Sequence, residues 1–184
     1  MELLQRSAAA LAVIDVQERL LPAIPEEPRA SVLRNALILI ETARALGVPV
    51  LASEQYPKGL GPTVPEIRAA IGDRFAPVEK LAFSCGRSPE FRTVLEGTHK
   101  RSIVLCGVET HVCVLQTAVD LVSEGYRVFV PADAVASRRP LDWERGLALM
   151  DKAGVVVGTT EAFVFQLLER AGTDEFKRIS KLLR

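Results

Sequence analysis

The segment "LCGVETHVCVLQTAVDLV", residues 105–122, decides the fold class of this chain. Its first residues are continuously apolar, as in a buried strand, and Gly107 to Thr110 form a short turn. The apolar residues that follow recur at helical spacing, which predicts a helix over residues 110–124. The segment therefore predicts a strand, a tight turn and a helix, and it places Cys113 in the first turn of that helix.

The same alternation of strand and helix patterns runs along the whole chain. Apolar runs predict strands over residues 8–16, 48–55, 76–83, 102–108, 127–133 and 154–160. Helical spacing predicts helices over residues 29–46, 88–97, 110–124 and 141–153, with further helix from about residue 161. Such alternation is typical of parallel strands joined by helical crossovers. We expect an α/β fold of one domain over residues 1–184, with helices on both faces of a six-stranded parallel sheet.

Composition and charge restrict the classes of partner. The 184 residues carry 23 Lys plus Arg and 23 Asp plus Glu, so the formal net charge is zero. A neutral chain offers no global attraction to nucleic acid or to an anionic membrane, and we expect neither as a partner. The N-terminal apolar run is too short for a membrane span and lacks the layout of a signal peptide. Cys85, Cys106 and Cys113 form an odd set without CxxC spacing, which predicts reduced thiols in a cytoplasmic protein.

One connection departs from the regular plan. The stretch "SEQYPKGLGPTVPEI", residues 53–67, contains three prolines and two glycines. It is too long and too broken for an ordinary connection between a strand and a helix. We expect an ordered loop that lines a functional site, and a plain surface insertion is the alternative.

Polar residues follow the predicted strands at their carboxyl ends, where open parallel sheets bind ligands. These residues are Asp15, Gln17, Glu54, Gln55, Lys80, Ser84, Asp133, Ser137 and Arg138, together with the turn that leads to Cys113. Asp15, Lys80 and Cys113 can converge there. A helix N-terminus and a nearby ammonium group favour a thiolate, and a carboxylate can accept the thiol proton. The three residues therefore predict an activated nucleophile with an acid/base partner.

Each of these residues also has an ordinary structural interpretation. A cysteine in an apolar helix is commonly a small core residue, and Cys106 in the middle of a strand fits that interpretation. An aspartate after a strand is often a cap, and a lysine is usually solvated. The occurrence of Asp15, Lys80 and Cys113 at three ligand-side strand ends favours the chemical interpretation.

Four motifs carry a family resemblance. The motifs "AVIDVQ", "EK..FS", "GVETHVCVLQTA" and "DA.ASR" resemble those of the isochorismatase-like cysteine hydrolase family, in the family's order and spacing over residues 8–170. The loop at 53–67 resembles the subgroup of isochorismatase-domain-containing proteins. The resemblance implies a three-layer, doubly wound, Rossmann-like fold with strand order 3-2-1-4-5-6.

The resemblance also implies a chemistry. It implies Asp15, Lys80 and Cys113 as the catalytic triad, and the backbone N–H groups of Glu109 and Cys113 as the oxyanion hole. A cis peptide bond between Val108 and Glu109 is implied with them. The expected reaction is hydrolysis of a small amide-type C–N substrate through a thioester. We expect Asp15→Asn to lower turnover roughly 10²–10⁴-fold with little change in folding.

The substrate and partners are expected to be simple. Gln17, Leu20, Tyr56 and Phe83 are the candidate substrate contacts, and we expect a small-molecule substrate and a homo-oligomer. Whether His111 or Cys85 contributes to the site is left open.

No metal or other cofactor is expected. Nicotinamidases of the resembled family bind a metal through an aspartate and several histidines after the second strand. The matching positions here are Ser53, Gln55 and Tyr56, and no histidine lies between them and Lys80.

Two other classes of function remain as alternatives. A non-catalytic or weakly catalytic binding protein that retains the hydrolase fold is one, because residues alone do not prove turnover. A dinucleotide-dependent oxidoreductase is disfavoured, since "DVQERLLP" stands where a G-x-G-x-x-G motif belongs.

Overall fold

The structure is a computed structural model that describes residues 3–184. Its seven strands are β1 (Ala9–Ile14), β2 (Val50–Gln55), β3 (Val78–Lys80), β4 (Ser102–Val108), β5 (Arg127–Pro131), β6 (Val135–Ala136) and β7 (Val156–Gly158). All of the pairings between these strands are parallel. The predicted parallel sheet is therefore confirmed.

The strand order is β3-β2-β1-β4-β5-β7, and the short β6 pairs with the end of β4. The expected order 3-2-1-4-5-6 is thus close to the observed path, because the sixth predicted strand corresponds to β7. The added strand, β6, has only two residues, too few for any periodicity to signal a strand. The chain order reverses between β1 and β4, so the carboxyl ends of these two strands form the crevice in which such sheets bind ligands.

Helices cover both faces of the sheet. They are α1 (Glu26–Leu46), α2 (Pro57–Leu60), α3 (Pro65–Ile71), α4 (Pro89–Gly97), α5 (Leu115–Ser123), α6 (Pro140–Lys152), α7 (Thr160–Leu168) and α8 (Asp174–Ile179). One buried cluster joins α1, α3, α7 and α8 to one face, and a second joins α4, α5 and α6 to the other. Within residues 3–184, no helix combines the length and the apolar character needed to cross a membrane.

Several observed boundaries differ from the sequence prediction by a few residues, and two of these differences at the ligand-side edge bear on the site. β1 ends at Ile14 because Asp15 takes a left-handed backbone conformation, with φ of +52°. The predicted helix from residue 110 begins instead with a π-helical turn, Thr110–Val114, before α5 continues it. Single π turns inside helices occur frequently at functional sites.

A glycine allows β1 and β4 to meet closely at this edge. Gly107 pairs with Ile14 in the sheet and has φ of +119°. A Cβ atom at Gly107 would lie 2.0 Å from the carbonyl oxygen of Ile14. Only glycine fits, so this residue brings the turn after β4 next to Asp15.

Candidate active site

The structure brings Asp15 and Lys80 into a buried ion pair. Lys80 is the last residue of β3, and its Nζ donates to Asp15 Oδ2 at 2.7 Å across the end of β2. Both side chains are completely shielded from solvent. A charged pair in such surroundings persists only when its remaining polar atoms are also bonded.

Those remaining atoms do have partners. Lys80 Nζ also donates to Gln55 Oε1 at 2.8 Å and to the carbonyl oxygen of Phe83 at 3.0 Å. Asp15 Oδ1 accepts a hydrogen bond from Ser53 Oγ at 2.8 Å. The roles of Ser53 and Gln55 were not predictable, because a polar residue at a strand end does not indicate its partner.

The Lys80 ammonium stays charged in this environment. Burial by itself lowers the pKa of Lys80, but the negative charge of Asp15 and the neighbouring thiols Cys85 and Cys113 outweigh it and hold this pKa above its usual value. Lys80 is therefore a fixed cation beside Asp15 at neutral pH.

Cys113 lies beside this pair as a thiol. Burial raises the pKa of Cys113, and the negative charge of Asp15 raises it further, while Lys80 opposes the shift. Lys80 favours the thiolate, as expected from the sequence, but burial and the charge of Asp15 outweigh it and favour the thiol. Attack by this sulfur requires that its proton leave as the new bond forms, and Asp15 is the adjacent base.

The other two cysteines are more deeply buried. Cys113 is 5% exposed, whereas Cys85 and Cys106 are both 0% exposed. Burial and the charge of Asp15 raise the pKa of Cys85 to about 11, and burial alone raises that of Cys106 to about 12. The backbone N–H of Cys85 donates to Thr117 Oγ1 at 2.9 Å, which fixes this residue next to the helix that carries Cys113.

The turn before Cys113 has an unusual backbone. The peptide bond between Val108 and Glu109 is cis. The carbonyl oxygen of Glu109 accepts hydrogen bonds from the N–H groups of Val112 at 3.1 Å and Val114 at 3.2 Å. The N–H of Cys113 lies between these two in sequence, within the π-helical turn.

The side chain of Glu109 is buried and paired with Arg138. Arg138 Nε donates to Glu109 Oε1 at 2.6 Å, a contact that the sequence did not reveal. His111 Nε2 lies 3.7 Å from Glu109 Oε2, and His111 Nδ1 lies 2.9 Å from Ser137 Oγ. His111 therefore faces Glu109 and Ser137, and these contacts do not support a role as the base of Cys113.

The predicted substrate contacts occupy different environments. Gln17 is fully buried: its amide nitrogen donates to the carbonyl oxygens of Gln55 and Gly61, and its Oε1 accepts from the N–H of Gln55. These hydrogen bonds hold the loop after β2 to Gln17. They do not support the predicted contact of Gln17 with substrate. Leu20 packs at the edge of the core, while Tyr56 and Phe83 are 51% and 53% exposed and remain available to a ligand.

The residues present do not fit a metal site. In residues 3–184, no three His, Cys, Asp or Glu side chains are placed to hold a metal ion together. At the positions that correspond to nicotinamidase ligands, the Ser53 hydroxyl bonds to Asp15 and the Gln55 carbonyl bonds to Lys80. A separate cavity of about 500 Å³ lies beside Trp143 and Ser137, and the triad does not line it.

Fold and site together define a doubly wound α/β protein with Asp, Lys and Cys side chains at the strand ends where the chain order reverses. The family model of the isochorismatase domain matches residues 9–162, and the chain belongs to the isochorismatase family. The family prediction is thus confirmed.

The chain is similar to proteins of the predicted subgroup. Isochorismatase domain-containing protein 2A of Mus musculus is 39% identical over 178 residues, covering 96% of this chain and 83% of the mouse protein. Isochorismatase domain-containing protein 2 of Danio rerio is 36% identical over 180 residues, covering 98% of this chain and 89% of the fish protein.

Solved structures share the fold over nearly the whole chain. The MAR1 ribonuclease from Caenorhabditis elegans superposes with a TM-score of 0.91 and 34% identity, covering 99% of this chain and 92% of that one. The YcaC gene product of Escherichia coli, an octameric hydrolase of unknown specificity, has a TM-score of 0.90 and 23% identity, with 97% of this chain and 89% of that one covered.

Proposed function

We propose that this protein is a cysteine hydrolase that cleaves a small amide-type substrate through a thioester on Cys113. One observation carries the proposal. A fully buried Lys80–Asp15 ion pair stands beside Cys113, which is the one cysteine of three with any exposure. A buried carboxylate that is kept charged next to a neutral thiol is suited to remove its proton during attack.

The reaction proceeds in two halves. Asp15 takes the proton from Cys113 as the sulfur bonds to the carbonyl carbon, and the carbonyl oxygen becomes an oxyanion. The N–H groups of Glu109 and Cys113 donate to that oxyanion. As the C–N bond breaks, Asp15 gives its proton to the leaving amine. Asp15 then accepts a proton from a water molecule that attacks the thioester, and the return of this proton to the sulfur regenerates the thiol.

Lys80 balances charge throughout this sequence. It remains protonated and keeps Asp15 anionic whenever Asp15 is not carrying the transferred proton. Tyr56 and Phe83, which are exposed near the site, are the proposed walls for the substrate. We propose that no metal takes part, so activity should survive chelation, and its loss with recovery on adding zinc would contradict this.

We also propose self-association and a cytoplasmic location. The E. coli relative of the same fold is an octamer, which supports a homo-oligomer for this chain. The three free cysteines support the predicted cytoplasmic location, since reduced thiols persist in a reducing compartment.

Hydrolysis of RNA is the second candidate function. It is favoured by one observation, the 34% identity to the nematode protein described as a ribonuclease. The formal net charge of zero disfavours it, because phosphate binding relies on Lys and Arg in excess. A fold that binds small molecules without turnover is the third possibility.

A substrate panel separates the three functions. Ammonia release is followed for a set of small primary amides, and fragment length is followed for a single-stranded RNA, each with and without a chelator. Cys113→Ala is the blank, and Cys106→Ala is the matched control because Cys106 is a core residue of β4. Amide hydrolysis lost only in Cys113→Ala supports the proposal. RNA cleavage that survives in Cys113→Ala, or saturable amide binding without ammonia release, would overturn it.

A further inference from the structure

Ser53 makes two separate contacts with Asp15. It lies on β2, pairs with Ile14 of β1, and is 1% exposed. Its carbonyl oxygen accepts from the N–H of Asp15 at 3.2 Å, and its hydroxyl donates to Asp15 Oδ1 at 2.8 Å. One serine therefore holds both the backbone and the carboxylate of the proposed base.

Asp15 needs such support for two reasons. Its backbone lies in the left-handed region, which few residues other than glycine occupy without surrounding structure to enforce it. Its terminal torsion is also intrinsically broad, so a single partner does not fix the plane of the carboxylate. Lys80 holds Oδ2 and Ser53 holds Oδ1, and together they set the direction in which the remaining lone pairs face Cys113.

We propose that Ser53 is a positioning residue for Asp15, which orients the carboxylate toward Cys113 and stabilises its charged form. This inference rests on the proposed function, because it assigns Ser53 a role through the base of that reaction. Ser53 does not itself contact the reacting atoms. Its contribution differs from that of an ordinary buried serine in one respect: it should change the pH at which the base works.

The groups that face Asp15 allow this pH to be measured. They are Lys80 from β3, Cys85 from the segment after β3, and Cys113 from the π-helical turn. The pKa of each lies above its usual value, so none of the three titrates between about pH 5 and 8. A loss of Cys113 reactivity as the pH falls is therefore not caused by these three groups, and it reports the base that accepts the thiol proton.

The experiment uses iodoacetamide as the probe and measures the rate of Cys113 alkylation against pH by peptide mapping. A thiol activated by a base gives a plateau with an acid limb, whereas an isolated thiol reacts about tenfold faster for each pH unit. Ser53→Ala is compared with Ser102→Ala, a matched control on β4 whose buried hydroxyl has no partner among the described residues. Ser53→Thr keeps the hydroxyl and tests rescue.

The expected result is a displacement of the acid limb in Ser53→Ala alone. A hydrogen bond to a charged group favours that charged form roughly tenfold to a hundredfold, so the limb should move about one to two pH units toward neutrality. The plateau rate should fall as well, and Ser53→Thr should restore both. An unmoved limb in folded Ser53→Ala, or an equal shift in Ser102→Ala, overturns the assignment of Ser53. A wild-type profile without any acid limb overturns instead the pairing of Asp15 with Cys113 in the proposed function.

Discussion

Replacing Asp15 by asparagine should destabilise the fold, contrary to the expectation from sequence that folding would change little. The substitution leaves the Lys80 ammonium fully buried with neutral acceptors alone, because the existing partners Gln55 Oε1 and the carbonyl oxygen of Phe83 are uncharged and so is an asparagine amide. Removing one partner of a buried ion pair typically costs about 3–5 kcal/mol. For a domain whose total stability is about 5–15 kcal/mol, this is a large fraction.

A double variant separates this cost from other effects of the substitution. Asp15→Asn combined with Lys80→Met removes both charges, and exchanging a whole buried ion pair for uncharged groups is often neutral. The double variant should therefore be more stable than Asp15→Asn alone, within about 1–2 kcal/mol of the wild type. Glu54→Gln is the matched control, since Glu54 is also a buried acid at the end of β2 but accepts its hydrogen bonds from the N–H and hydroxyl of Thr63, which are neutral.

Urea unfolding followed by circular dichroism measures these differences. With a slope of about 2 kcal/mol per molar urea, a loss of 3–5 kcal/mol lowers the midpoint by about 1.5–2.5 M. Two results would refute the reasoning: Asp15→Asn losing less than about 1 kcal/mol, or the double variant being as unstable as the sum of the two single variants. Either would mean that Lys80 is not held as a buried cation by Asp15.

Three further predictions follow from the same structure. Gly107→Ala should lower the free energy of unfolding by about 3 kcal/mol or more, because the new Cβ would lie 2.0 Å from the carbonyl oxygen of Ile14. In the same urea titration, Gly125→Ala should lower it by about 1–2 kcal/mol, because Gly125 has a positive φ but open space around it. The free energy of unfolding should fall as the pH rises above 9, because burial raises the pKa of Cys106 from 9.0 to about 12 and only the unfolded thiol loses its proton between these values. Cys106→Ala should reduce this fall by about 1.4 kcal/mol per pH unit, and an unchanged dependence of the free energy of unfolding on pH would contradict the prediction. Limiting iodoacetamide at neutral pH should label Cys113 before Cys85 and Cys106, because only Cys113 has any exposure, and faster labelling of Cys85 would argue against Cys113 as the nucleophile.

The architecture was predictable because the signals for it are local and repeated. Apolar runs of strand length identify the buried parallel strands, and the rule that ligands bind at their carboxyl ends singled out Asp15 and Lys80 although 65 residues separate them. The two-residue β6 and the π-helical turn before α5 carry no periodic signal, so the sequence predicted neither.

The hydrogen-bond partners within the site were not predictable, because they depend on which polar groups the fold brings within bonding distance. Gln17 was predicted as a substrate contact, and in the structure its amide nitrogen donates to backbone carbonyl oxygens of β2 and the loop after it. Ser53 appeared only as a missing metal ligand, yet it bonds to Asp15. The balance of effects at Cys113 was not predictable from helix position, which favours a thiolate, because burial and the neighbouring carboxylate of Asp15 raise its pKa.

In the proposed mechanism, a neutral Cys113 beside Asp15 gives the site a selectivity that a preformed thiolate would lack. A thiolate reacts with any electrophile that reaches it, whereas a thiol next to a base becomes a nucleophile only as its proton moves to that base. The buried Lys80 keeps the base charged without water, although an ion pair of this kind adds little or nothing to stability. Each substitution that removes one member of the pair should therefore lose both folding energy and reactivity, while Lys80→Met with Asp15→Asn should regain folding energy alone.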